Sequence, residues 1–210
     1  GVNVSAFVSA VGNIKLNKCY ADLDLSLIDD NIVRCPDNAI ADKMILAIEK
    51  TTKQGDTIGG EITALALGVP AGWGEPVFDK LHADIGKGML SINAVHGFKY
   101  GFDTADIASS KGSDVNDSII DRNGKTKTNF SGGIQGGISN GNDIYCEVAF
   151  KPVATIMQQQ STIDQNGNTI DINVKGRHDA CVVPRAIPIV ESMLALTLVD
   201  HYLRSLSNKI

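Results

Sequence analysis

Apolar and polar positions alternate from the first residues of the chain. Val2, Val4, Ala6 and Val8 share one parity, which predicts a strand over residues 2–10. The stretch to about residue 35 is mixed, and DLDLSLIDD within it reads as a loop or short turn. Between Cys35 and Gly55 the period lengthens. Ile40, Met44, Ile45 and Ile48 form one helical stripe, with Asp37 or Asn38 as N-cap and Gly55 just past the end. Residues 59–70 read as a strand, 76–92 as a helix broken near Gly86 and Gly88, and 93–101 as strand again. Residues 103–130 are polar and carry a turn signal at Asn123-Gly124. A well-alternating strand follows over 143–152, then a polar hairpin, DQNGNTIDINV. Pro188 is placed to begin a last helix. Its apolar positions, Val190, Met193, Leu194, Leu196 and Leu198 among them, are too numerous for a one-sided helix and predict burial over most of its surface.

Strands and helices alternate without a regular period. The expected class is therefore α+β, with amphipathic helices packed on a mixed or largely antiparallel sheet. No GxGxxG follows a strand, and no Walker loop is present. The 210 residues suffice for one domain with a substantial core. A net charge of -5 gives no support to nucleic-acid binding, which wants a basic face. Cys19, Cys35, Cys146 and Cys181 are far apart and form no CxxC pair, so buried reduced thiols are expected and no metal site. No apolar run approaches the roughly 20 residues that span a bilayer. The chain opens directly in strand language without an initiator Met, and is expected to begin inside a larger protein.

Four segments carry candidate chemistry. In SGGIQGGISNG, residues 131–141, two diglycines either expose backbone N–H groups to a phosphate or allow close packing between elements. In KPVAT, Lys151 brings a charge and Thr155 a hydroxyl suited to an anion, against the alternative of a solvated strand end. In GRHDACVVPRA, Arg177 and Asp179 share a face of an extended chain. His178 points away, and Arg185 follows after Pro184. Arginine recognises carboxylate or phosphate, and the neighbouring aspartate accepts or relays a proton. In SINAVHGF, Asn93 offers an amide to a heterocycle or simply begins a strand. His82, His201 and Trp73 read as structural, and Asp56 as turn chemistry with some claim to line the site.

Taken in order, GDTIGG, GEPVFDKLHADIGKGMLSINAV, GGIQGGISNG, AFKPVATI and KGRHDACVVPRAIPIVESMLA resemble chorismate synthase over essentially the whole chain. The resemblance implies a β-α-β sandwich and a cytoplasmic homotetramer. It implies an enzyme that eliminates phosphate 1,4 from 5-enolpyruvylshikimate 3-phosphate to give chorismate, with reduced FMN and no net redox change. It places Asn93, Ala94 and Gly136 on FMN, has Lys151, Pro152, Val153, Ala154 and Thr155 line the flavin and its phosphate, and sets Arg177 between flavin and substrate. Asp179 would sit near the flavin N5 and assist proton transfer. It implies no metal, nucleic acid or membrane. His96 stands where members commonly have Lys, and Ala180 where they commonly have Pro. The family's amino-terminal motifs, an FGESHG-like histidine, an arginine-rich clamp and a GGGRSS-like flavin loop, do not occur here. Residues 1–210 are thus expected to be the carboxy-terminal portion of a single domain, inactive alone.

Overall fold

The computed structural model describes residues 1–102, 107–122, 124–174, 176 and 178–207. Its elements run β1 (Asn3–Val11), β2 (Ile14–Lys15), α1 (Asn38–Lys53), β3 (Gly60–Leu67), α2 (Leu81–Leu90), β4 (Val95–Tyr100), β5 (Ile134–Gln135), β6 (Ile138–Ser139), β7 (Ile144–Phe150), β8 (Gln160–Ile163), β9 (Thr169–Ile172) and α3 (Val183–Ser207). Five strands form one sheet in the order β2-β1-β3-β7-β4, with every pairing antiparallel. Helices α2 and α3 pack on it, α3 against β1 and β3 and α2 against β4. The α+β class with helices on an antiparallel sheet is therefore the one found.

Local chemistry explains the elements that position the site. Ala6 and Val8 are buried on one face of β1; a bulge near Ser9 shifts its register against β3, so that Val11, not Ala10, continues that face, and Phe7 is buried on the other. Asp37 caps α1: its carboxylate accepts from the Ile40 amide at 3.1 Å and from the Lys18 ammonium at 2.7 Å. The outer edge of β1 is covered by other chemistry. The Ala6 amide donates to the Glu191 carboxylate of α3 at 2.8 Å, and the Val8 amide to the Arg34 carbonyl at 3.0 Å.

Several expectations about the helices need correction. Helix α2 begins only at Leu81 and runs unbroken through Gly86 and Gly88. Asp79, with φ +56, stands outside the helical region just before it. The two glycines serve packing. A Cβ on Gly86 would lie 3.1 Å from the Phe98 ring, and one on Gly88 would lie 3.0 Å from Met193.

Helix α3 begins at Val183, not at Pro188. Pro184 occupies its first turn, where a missing N–H costs nothing, and Pro188 lies inside the helix. Its surface is also divided. Val183, Ala186, Ile187, Val190, Leu194, Leu198 and His201 are buried, whereas Ile189, Leu196, Val199, Leu203 and Leu206 are exposed. By length and composition α3 is apolar enough to cross a membrane, contrary to the reading that no run approaches that length. One face of it packs against β1, β3 and α2, and the rest is exposed.

The polar stretch before β5 is held by Asp117. Its buried carboxylate accepts from the Thr128 hydroxyl at 2.7 Å, the Phe130 amide at 2.8 Å and the Ser131 amide at 2.7 Å. Burial works against its charged form, but the bonds from Ser131, Thr128 and Phe130 outweigh it and hold the carboxyl below its ordinary value. A depressed folded value stabilises above the unfolded value and is lost as pH falls through the folded one. Asp117→Asn is therefore expected to cost about 2 kcal/mol near pH 7. The gap to the unmutated chain should close in strong acid. Denaturant unfolding at both pH values checks this, and an equal gap at both would exclude a charge-dependent anchor. Asn123, half of the expected turn, lies outside the described residues, while Gly124 has φ +86 as such a turn requires.

Candidate functional site

Four loops meet at one end of the sheet. Gly60, Phe150 and Val95 lie side by side across β3, β7 and β4. The residues just before Gly60, just before Val95 and just after Phe150 therefore leave the sheet together. The Lys151 amide donates to the Ala94 carbonyl at 2.9 Å. The Thr57 hydroxyl donates to the Val153 carbonyl at 2.7 Å, and the Ile58 amide to the Ala180 carbonyl at 2.8 Å. These bonds join the loops before β3 and β4, the loop after β7 and the segment that enters α3.

The glycines of GDTIGG make this closeness possible. A Cβ on Gly59 would lie 2.5 Å from the Phe150 carbonyl and 3.0 Å from Pro152. One on Gly60 would lie 2.3 Å from the Ala10 carbonyl and 3.1 Å from Val183. Ala94, at φ +68, is held in the left-handed region, where a side chain is strained.

Between these segments lies a cavity of 470 Å³ lined by Val153, His178, Asp179, Val182 and Arg185. A second, of 30 Å³, adjoins it and is lined by Asp56, Thr155, His178 and Asp179 among others. Asn93, Lys151, Pro152 and Ala154 are exposed, while Ala94, Val153, Thr155 and Asp179 are half-buried. Arg185 forms an ion pair with Asp179, with 3.0 Å between Nη1 and Oδ2.

Within one chain the structure thus brings together Ala94, Lys151 to Thr155 and Asp179, with Asn93 next to Ala94. Arg177 lies outside the described residues. Gly136 is not brought to the same place. It sits at the β5–β6 tip, beyond the start of β7, roughly 20 Å along the sheet from Lys151 at 3.3 Å per residue. The two readings of the diglycines separate here. Gly137 packs tightly, since a Cβ there would lie 2.5 Å from Lys80. Gly136, at φ +62, has open space where its Cβ would be.

His178 departs from the expectation that it points away, because it lines both cavities beside Asp179. The two-residue alternation behind that expectation applies to a strand, and residues 178–180 are not in one. Asp56 does both things expected of it. Its carboxylate accepts from the Thr57 amide at 2.8 Å, and it lines the smaller cavity. The Arg185 contact was not legible, because six positions separate it from Asp179 and only the entry into α3 folds them together.

Other cavities lie apart. One of 790 Å³ is found at the far end of the sheet among Tyr20, Lys125, Asn129 and Tyr145. Among the described residues no cluster of His, Cys, Asp and Glu could hold a metal ion. The Cys146 thiol is pushed up to about 12, by burial first and then by Glu147, and is chemically inert.

Comparison with known proteins supplies the family. The family model described as chorismate synthase matches residues 1–203. The chorismate synthase of Christiangramia forsetii is 56% identical over 209 residues, covering 100% of this chain and 58% of the relative. That of Flavobacterium psychrophilum is 56% identical over 202 residues, covering 96% and 56%. A crystal structure of chorismate synthase superposes with a TM-score of 0.75 at 25% identity, covering 97% of this chain and 57% of that one. The chain spans less than three fifths of the length of these relatives, but within that span the match is nearly unbroken. The chain therefore belongs to the chorismate synthase family.

Proposed function

We propose that residues 1–210 are the carboxy-terminal portion of a chorismate synthase. In the complete enzyme this portion supplies one wall of the site that eliminates phosphate from 5-enolpyruvylshikimate 3-phosphate. The observation that carries this reading is the convergence at one end of the sheet. The Ala94–Lys151 backbone bond and the two cavities bring the Lys151 backbone, the Thr155 side chain, an apolar surface and the Asp179 carboxylate into one neighbourhood. The residues present fit reduced FMN on chemical grounds. Lys151 and Thr155 suit its phosphate, Val153 and Val182 an apolar ring face, and the strained backbone at Ala94 a ring edge. Asn93, Ala94 and Lys151 to Thr155 would hold the flavin, with Gly136 brought in from elsewhere in the assembly. Arg177 would lie between flavin and substrate.

When bound, reduced FMN supplies electron density to the departing phosphate. The chain's own residues do the rest. Lys151 offsets anionic charge at the rim. The apolar lining of Val153 and Val182 excludes water from that side. The Asp179 carboxylate takes or passes on the proton that leaves as the phosphate departs, so that the reaction closes with no net oxidation. The assembly is a cytoplasmic homotetramer, and nucleic acid and membrane take no part in it.

Two measurements test the reading. The complete protein should form chorismate from 5-enolpyruvylshikimate 3-phosphate only when reduced FMN is supplied, and absence of product under those conditions overturns it. The 210-residue chain alone should bind FMN weakly by fluorescence titration, because the opposite wall is missing. Submicromolar affinity would show that this wall suffices.

A further inference from the structure

We infer that Arg185 is a positioning residue for the Asp179 carboxylate. It fixes which oxygen faces the cavity and leaves that oxygen able to carry a proton. The inference rests on the reading of Asp179 given above.

The geometry behind it is specific. Arg185 Nη1 lies 3.0 Å from Asp179 Oδ2, and no partner for Oδ1 is found among the described residues. Both side chains line the same cavity as Val153 and Val182. The two ends of the contact are mounted on fixed backbone. Arg185 stands in the first turn of α3, where its amide donates to the Val182 carbonyl at 3.0 Å. Its neighbours Val183, Ala186 and Ile187 are buried in the core. On the other side, the Ala180 carbonyl next to Asp179 accepts from Ile58, and Cys181 is buried. The side chains themselves are 70% and 36% exposed. An ion pair in such contact with water adds little to folding stability. Its effect is orientational: a positive charge mounted on the rigid start of α3 draws one carboxylate oxygen towards itself. A carboxylate free to rotate would spend part of its time aimed away from the reacting atoms, and small losses of alignment lower turnover without weakening binding.

The test uses the complete enzyme with four variants: Arg185→Met, Arg185→Lys, Asp179→Asn, and Asp179→Asn combined with Arg185→Met. Arg185→Met should lower kcat about 10-fold, with KM for 5-enolpyruvylshikimate 3-phosphate and FMN affinity within about twofold of the unmutated enzyme. Arg185→Lys, which keeps the charge, should recover most of the loss. The double variant should be no slower than Asp179→Asn alone, because Arg185 acts only through Asp179. A rise in KM or in FMN dissociation that accounts for the loss would make Arg185 a direct ligand contact and overturn the inference. So would kcat losses that multiply in the double variant, or unchanged kcat in Arg185→Met while Asp179→Asn is impaired. If Asp179→Asn itself turns over normally, the proton-carrying reading of Asp179 falls and the role of Arg185 falls with it. Retained chorismate synthesis in that variant would still leave the family function standing.

Discussion

Asp179→Asn is expected to lower turnover of the complete enzyme about 100-fold, equivalent to about 2.7 kcal/mol of barrier. Asparagine has the same shape and can still lie against Arg185, but its amide cannot accept a proton at neutral pH. The substitution therefore separates geometry from proton transfer. Asp179 is half-exposed at the cavity rim and buries no contact that the fold depends on, so the variant should unfold at the same denaturant concentration as its parent. The measurement is kcat with reduced FMN and saturating substrate. Unchanged turnover would remove Asp179 from the mechanism, and a loss of FMN affinity of the same size would recast it as a binding residue.

Leu194→Ala should have the largest effect on stability, about 3 kcal/mol within the usual range of 2–5 for a buried leucine. Leu194 is fully buried on the face of α3 that covers the sheet. Removing it leaves a cavity between α3 and a sheet in which β3 is paired on both sides, so collapse is limited. Leu196, two positions on, faces outward and is 65% exposed; Leu196→Ala should stay within about 0.5 kcal/mol in this chain. Urea midpoints at unchanged slope decide the matter. Equal losses from the two variants would mean that α3 is enclosed on both sides.

That contrast also shows what the sequence could and could not reveal. Counting apolar residues in α3 suggested burial nearly all round. Periodicity reports which residues are apolar, not which surfaces find a partner, and Leu196 and Leu203 are largely exposed. The local signals did better where local chemistry decides the outcome. Ala6 and Val8 fall on one face of β1 as their spacing predicts, although Phe7 on the other face is buried too, and Asp37 stops the loop because its carboxylate takes the Ile40 amide. Gly86 and Gly88 misled because a glycine that breaks an isolated helix also admits close neighbours, here Phe98 and Met193. Pro188 misled because proline is tolerated within a helix that tertiary packing holds in place.

At the site, Lys151 to Thr155 and Asp179 were legible as segments, and the structure joins them through Ala94 and Val153. The partnership of Arg185 with Asp179 was hidden, since it depends on how α3 begins. The separation of Gly136 from the other residues was hidden for a similar reason: only the length of β7 sets it.

The edge of the five-stranded sheet has a consequence for the life of the molecule outside its own fold. A long strand with unpaired backbone groups is a template on which further chains can add. Strand β2 covers only the last two residues of β1, and the rest of that edge would be such a template. Glu191 takes the Ala6 amide and the Arg34 carbonyl takes the Val8 amide, so donors that an incoming strand would need are already engaged. A carboxylate from a helix and one turn of loop thus do for that stretch of β1 what a further strand would do.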